Sequence, residues 1–329
     1  MRARRSAPAF GARRDRGAEH ALTTSRRTVV TLGNHDGVHL GHRALLEAAR
    51  ERAGREEGLS VHAVTFDPHP SVVLAPDRAP PLLTTIERRR ELLVALGADD
   101  VSVLRFDREL ASTSPEAFVE RVLVAQLSAR GVVVGPDFRF GRGRAGDAET
   151  LRTLGERHGF DVITVAPVTV DGEVVSSTRI RRAVARGDVR EATRLLGRVH
   201  DVDGTVVRGD GRGRSIGVPT ANLDCDPILL PADGVYAVVA RLPGEAELRR
   251  GVANLGVRPT FAAGRSVEVH LFDVDRDFYG ARLRVGFVER LRAEQKFDGV
   301  DALKAQISRD CERAREILAG EPDEAWRWI

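Results

Sequence analysis

Two histidines three apart, His39 and His42, stand in the string GNHDGVHLGH, residues 33–42, between an apolar run and a helical one. Side chains three apart at a helix start share one side of it, so both imidazoles would face the same ligand. Gly33, Gly37 and Gly41 remove Cβ atoms where the backbone must bend or lie against a bound group. A helix beginning near Leu40 adds free N–H groups and the positive end of a dipole. The chemistry such a pattern suits is the binding of a triphosphate. A second gathering of this kind lies in SSTRIRR, residues 176–182, where Ser176, Ser177 and Thr178 bring hydroxyls to another helix start. Arg179 there is placed to take phosphate through two parallel bonds, a geometry lysine does not offer. Arg182 and Arg186 read as a solvated face.

Three further stretches carry polar groups in suggestive order. In GPDFRFGRGRAGD, residues 135–147, Asp137 and Arg139 are polar while Phe138 and Phe140 offer faces for a flat ring, as in a loop closing over a nucleotide. In RGDGRGRSIGVPTANL, residues 208–223, Gly209, Gly211, Gly213 and Gly217 form a loop able to wrap phosphate through backbone N–H groups, with Arg212 and Arg214 adding charge. Thr220 and Asn222 behind it are neutral oxygen donors of the sort Mg²⁺ accepts beside phosphates and water. Residues 266–273 alternate, with Val267, Val269 and Leu271 on one face and Glu268, His270 and Phe272 on the other. A strand glutamate facing water is the ordinary case, so these residues alone leave the role of Glu268 open.

The elements that must hold these groups follow from local pattern. Residues 29–32 form a buried strand, and residues 59–66 a second one ending in Asp67-Pro68-His69-Pro70, whose prolines predict an extended exit with no helix starting at once. Thr84-x-x-Glu87 is a capping box opening a helix that Gly97 stops. Strands follow at 100–105, 132–134 and 160–165, with helices opened by Ser114-Pro115 and near Thr178, and Gly187-Asp188 ends one helix and caps the next. Strands alternating with helices predict an α/β domain whose parallel sheet is covered on both faces and binds ligands at the strands' carboxyl ends. Beyond residues 197–200 the texture changes to short alternating runs, which predict a small antiparallel β-barrel. A helix over 300–318, with Leu303, Ile307 and Cys311 at helical spacing, should pack on it. The divisions expected are a disordered basic extension over 1–27, an α/β domain over 28–197 and a barrel domain over 198–329.

Composition sets the outer limits. With 329 residues, 42% hydrophobic and 30% charged, the chain has room for two domains with real cores, and a mean hydropathy of -0.23 suits a soluble protein. No apolar run approaches the roughly 20 residues needed to cross a bilayer. Cys225 and Cys311 have no metal-type spacing, which fits a reducing cytoplasm. The net charge of +3 is nearly balanced, and the pI of 9.3 reflects arginine richness. Residues 1–27 carry many arginines but no apolar core, so they are not a secretory signal; a disordered extension or a start codon set too early is expected.

GNHDGVHLGH resembles the G-x-F-D-G-V-H-x-G-H signature of the prokaryotic FMN adenylyltransferases, which belong to the HxGH nucleotidylyltransferases; His35 stands where the signature has Phe. TFDPHP, VGPDFRFG and SSTRIR resemble further stretches of that family, while PTAN, GVANLGVRPTF and LRAEQKF resemble the riboflavin kinases. The likeness spans roughly residues 28–319. It implies a Rossmann-like adenylyltransferase domain joined to a riboflavin kinase barrel, making FMN from riboflavin and FAD from FMN with ATP as co-substrate and Mg²⁺ as cofactor. It further implies that His39, His42 and Arg179 act on ATP, with Gly33, Asp36, Gly41, Asp67, His69, Asp137, Ser177 and Thr178 around nucleotide and flavin. In the barrel, Gly211 and Gly213 would meet phosphates, Thr220 and Asn222 the metal, Glu268 would be the catalytic base, and Arg292 would contact the isoalloxazine ring. Riboflavin, FMN and ATP are the partners expected, with neither membrane nor nucleic acid among them and the oligomeric state left open. Two alternatives stand beside this: one activity alone, if His35 impairs adenylyl transfer, or a flavin- or nucleotide-binding regulator whose basic tail contacts nucleic acid.

Overall fold

A computed structural model describes residues 26–209, 218–245, 247–257, 265–274, 278–321 and 326–329. Gly211, Gly213 and nearly all of the basic extension lie outside the described residues.

The first half alternates as its sequence predicts. Strand β1 (Arg27–Leu32) leads into α1 (Leu40–Ala53), β2 (Leu59–Asp67), α2 (Pro70–Leu74), α3 (Ile86–Ala95), β3 (Asp100–Arg105), α4 (Arg108–Ser112) and α5 (Pro115–Phe118). After α5 the chain continues as a π-helical stretch, Val119–Gln126, then β4 (Ala129–Val134), α6 (Ala148–His158) and β5 (Asp161–Thr164). All five strands run parallel in the order β3-β2-β1-β4-β5. The chain moves outward from β1 and then returns to β1's other side, so the carboxyl ends of β1 and β4 flank a topological switch point. Alternate residues serve opposite faces. Val30, Leu32 and Val132 pack with Phe118 and Leu151, whereas Val29, Val61 and Val133 pack with Leu46 and Leu92. Each such fully buried side chain contributes roughly 1.5–3 kcal/mol.

Two local expectations change. Helix α2 starts at Pro70 itself, because proline at the first helical position forfeits no hydrogen bond, and the His69 ring caps it by accepting from Ser71 N at 3.1 Å. The cap of α3 is Thr85, which accepts from Arg88 N at 3.1 Å, and not Thr84.

A hairpin of β6 (Thr169–Val170) and β7 (Glu173–Val174) precedes α7 (Ser177–Ala185) and α8 (Val189–Leu196). Strands β8 (His200–Val207), β9 (Ala221–Cys225), β10 (Gly234–Arg241), β11 (Leu248–Val257), β12 (Arg265–Leu271) and β13 (Arg282–Arg292) then close an antiparallel barrel in the order β10-β11-β12-β9-β8-β13. Val202, Leu223, Tyr236, Val269 and Phe287 fill it. The last helix, α9 (Val300–Ala319), lies on the outer wall, where Ala314 and Leu318 meet Val239, Val252 and Phe272.

Candidate active sites

The turn between β1 and α1 is held in an unusual backbone conformation, with φ of 49° at His35, 85° at Gly37 and 40° at Val38. It delivers His39 in extended conformation as the cap of α1. His39 Nδ1 accepts from Gly41 N at 3.1 Å, and His42 Nδ1 accepts from His39 N at 3.3 Å. A Cβ on residue 41 would lie 3.0 Å from the His39 ring, closer than side chains ordinarily pack. The two rings stack, with centroids 3.7 Å apart. Burial pulls the pKa of His39 down to about 4 and holds His42 well below 6.5, so both are neutral at pH 7. Because each Nδ1 is an acceptor, each proton sits on Nε2. The same holds for His69, whose Nδ1 faces Ser71 N and whose pKa burial and Arg181 lower. These three imidazoles therefore offer Nε2–H donors.

Asp36 joins this turn to α7. Its carboxylate, 1% exposed, accepts from Leu83 N at 3.0 and 3.1 Å, Thr84 N at 3.1 Å, Thr84 Oγ1 at 3.2 Å, Arg89 Nη2 at 3.2 Å and Arg181 Nη2 at 2.5 Å. Expected beside the ligand, it is enclosed by protein and ties the turn to the start of α3 and to α7. Ser177 Oγ donates to the Asp36 carbonyl at 2.9 Å, and Ser176 caps α7 by accepting from Arg179 N at 3.2 Å. Thr178 is exposed on the first turn of α7 and Gly33 is half-buried at the end of β1.

Arg179 is engaged by groups of the protein itself. Its guanidinium donates to the carbonyls of Val170 and Glu173, both at 3.0 Å, and to Glu191 at 2.6 Å, which ties α7 to the hairpin and to α8. Arg181, two residues on, is the arginine that faces Asp36 and lowers the pKa of His39 and His69. Sequence reasoning missed it, along with Arg89 and Thr84. Asp67 is exposed at the end of β2, where its charge acts on Arg89, and Asp137 is exposed in the loop after β4. Phe140 offers no free face: it is 8% exposed and packs against Phe118, with Phe138 stacked on it at 5.5 Å. His35 is wholly buried behind the pair, edge-on to His42 with centroids 4.9 Å apart. Its departure from the signature is thus a matter of packing behind the turn.

The barrel carries a second site on its outer wall. Strand register sets Asn254 opposite Glu268 and Glu268 opposite Asn222, while Val235 lies between Asn254 and Arg292. A row therefore crosses five strands from Arg292 to Asn222. Together with Thr220, His270 and the first half of α9, most of it lines a cavity of about 480 Å³. Ser266 Oγ donates to Glu268 at 3.3 Å, and His270 Nδ1 donates to the Pro219 carbonyl at 2.8 Å. Arg292 is fixed by Asp310, with Nε 3.1 and 3.0 Å from the two carboxylate oxygens, and lies over the Phe297 ring at 5.7 Å. Asn254 lies in the GVANLGVRPTF stretch, and register is what places it beside Glu268. A Cβ on Gly209 would lie 2.1 Å from Asn222 Nδ2, so the glycine lets the backbone press onto that amide. Thr220 and Asn222 are hard neutral donors near a carboxylate, a set that suits Mg²⁺ shared with phosphates. Among the described residues no cluster of three or more His, Cys, Asp or Glu side chains could hold a metal alone.

Both halves match known families. A family model for FAD synthetase matches residues 21–179, and one for riboflavin kinase matches residues 196–318. The bifunctional riboflavin kinase/FMN adenylyltransferase of Escherichia coli K12 is 43% identical over 88% of this chain and 92% of its own. That of Listeria monocytogenes is 40% identical over 91% and 96%. The crystal structure of a Streptococcus pneumoniae protein named macrolide-efflux protein, 35% identical, superposes with a TM-score of 0.81 over 89% of this chain and 95% of that one. That name belongs to the Streptococcus protein; among the described residues here no helix is long and apolar enough to cross a membrane. From the match of each half to its own family model and the full-length likeness to relatives carrying both, the chain belongs to the family of bifunctional riboflavin kinases/FMN adenylyltransferases.

Proposed function

We propose that riboflavin is phosphorylated in the barrel cavity and that the FMN formed is adenylylated at the start of α1. In the first reaction Glu268 takes the proton from a ribityl hydroxyl, whose oxygen attacks the γ-phosphorus of ATP, and ADP leaves with the electron pair of the broken bond. Asn254 and Asn222 flank the carboxylate and fix its approach. Thr220 and Asn222 would hold Mg²⁺, which supplies charge neutralisation on the phosphates. Arg292, braced by Asp310, would meet the flavin ring.

In the second reaction an FMN phosphate oxygen attacks the α-phosphorus of ATP and pyrophosphate departs. No side chain has to become a nucleophile, so positioning and electrostatic stabilisation carry the rate. The Nε2–H groups of His39, His42 and His69 and the free N–H groups of α1 donate to the phosphate oxygens, with Arg181 taking the place foreseen for Arg179. Gly33 and Gly41 let backbone approach; Ser177, Thr178, Asp67 and Asp137 would lie around the nucleotide and flavin. The observation that carries this reading is the pair of stacked neutral imidazoles whose Nδ1 atoms are both occupied by backbone N–H groups. The free thiols Cys225 and Cys311 suit the cytoplasm as its place of work.

Incubation with riboflavin, ATP and Mg²⁺, followed by separation of flavins over time, tests the scheme. FMN should appear first and FAD after a lag. FMN that never becomes FAD would leave only the kinase, and FAD rising without FMN would contradict the order of steps.

A further inference from the structure

A ring of buried groups runs from the adenylyltransferase turn through the barrel and back. Asp201, in β8 of the barrel, accepts from Arg88 Nε at 3.1 Å and Nη2 at 2.6 Å, and from Arg198 Nη1 at 3.2 Å. Arg198 Nη2 donates to the Gly37 carbonyl at 3.0 Å. The Gly37 N–H donates to Thr84 Oγ1 at 3.2 Å, so this one peptide stretch is gripped on both sides. Arg88 is followed on α3 by Arg89, which holds Asp36. Two neighbouring residues of one helix thus face the barrel carboxylate and the turn carboxylate. Arg88, Arg89, Arg198, Asp36 and Asp201 are each no more than 6% exposed. Buried guanidiniums need a matching anion, and removing a single partner is strongly unfavourable. Gly37 lies two residues before His39, within the segment of positive φ, so its carbonyl direction fixes how the histidines enter α1.

We infer that Asp201, although a barrel residue, is a positioning residue for adenylyl transfer: it holds the Arg198 guanidinium against the Gly37 carbonyl and so sets the His39–His42 pair. This rests on that pair being the site of FAD formation. It assigns the barrel a part in a reaction that takes place on the other domain.

The test uses full-length Asp201→Asn, Arg198→Lys and Asp203→Asn. Asp203, two residues along the same strand, pairs instead with Arg284 of β13 at 2.8 and 2.9 Å and is the control for loss of one charge. For Asp201→Asn the kcat of FAD formation from supplied FMN should fall at least tenfold with the KM for ATP within about threefold, while FMN formation from riboflavin stays within twofold. Arg198→Lys, whose ammonium cannot span both acceptors, should lie between it and wild type, and Asp203→Asn should behave as wild type. Full FAD formation in Asp201→Asn with kinase activity intact overturns the inference, as does an equal loss in Asp203→Asn. Should Asp201→Asn lose both activities, Arg198→Lys decides: a selective loss of FAD formation supports the inference, and either no loss or a parallel loss overturns it. His42→Ala separates the two levels, since FAD formation surviving in that variant sinks the site itself rather than its positioning.

Discussion

His35 shows how much a single side chain can cost at this turn. Its ring is 0% exposed, neither nitrogen meets a partner at hydrogen-bonding geometry, and burial, with Arg89 and His39 adding to it, lowers its pKa to about 3. A buried polar atom left unpaired costs about 1–3 kcal/mol. His35→Phe fills a similar space with no nitrogen to desolvate, although the φ of 49° suits a bulky ring less well. The variant should gain about 1 kcal/mol at pH 7. The gain should grow with acidity. Below pH 6.5 the unfolded chain takes up a proton that the folded chain refuses until about pH 3, so wild-type stability falls across that window by at most about 1.4 kcal/mol per pH unit from this group. Thermal melts of both proteins at pH 7, 6 and 5 check this, and a difference in Tm that stays constant with pH would show that His35 is not the group responsible.

At the scale of elements, two adjacent threonines before α3 divide two tasks. Thr85 caps the helix, while Thr84 accepts from Gly37 N and donates to Asp36. Thr85→Ala should cost about 1 kcal/mol of stability and leave FAD formation unchanged. Thr84→Val should do the reverse in emphasis, lowering FAD formation by more than tenfold because the turn loses one of its grips; denaturant melts beside the FMN-to-FAD rate distinguish them. The sequence could not tell the two apart, since either hydroxyl satisfies the spacing of a capping box. What local pattern does determine was legible: the caps Ser114, Ser176 and Asp188 and the alternation of β12 all depend on neighbours in the chain. What depends on distant neighbours was not. Arg179 and Arg181 leave one helix start in different directions because Glu191 and the hairpin carbonyls wait on one side and Asp36 on the other. Nothing local marks the run Arg88-Arg89-Arg90 for burial, yet its first two members are buried by carboxylates 113 residues ahead and 53 behind. Phe140 reads as a free ring and is taken up by the core beside α5.

Across the whole molecule the proposed scheme assigns the two reactions to separate residues. Glu268 belongs to a row on the outer barrel wall that shares no member with the ring through Asp201. Glu268→Gln keeps the shape and removes the proposed base, so FMN formation should drop by about 100-fold or more. FAD formation from supplied FMN should be untouched. His42→Ala should show the opposite pattern, again by about 100-fold or more, because one of the donors proposed to hold the triphosphate is gone. Neither variant alone should convert riboflavin to FAD at a useful rate. An equal mixture should, because FMN made by His42→Ala can leave its barrel and be taken up at the α1 start of Glu268→Gln. The rate in the mixture should rise more steeply than linearly with total protein while FMN is scarce, as expected for an intermediate that passes through solution. Separation of riboflavin, FMN and FAD over time reads this directly. If each variant performs its own half-reaction at full rate and the mixture still accumulates no FAD, the intermediate stays on the molecule that made it, and two sites working through a common pool of FMN would be the wrong description.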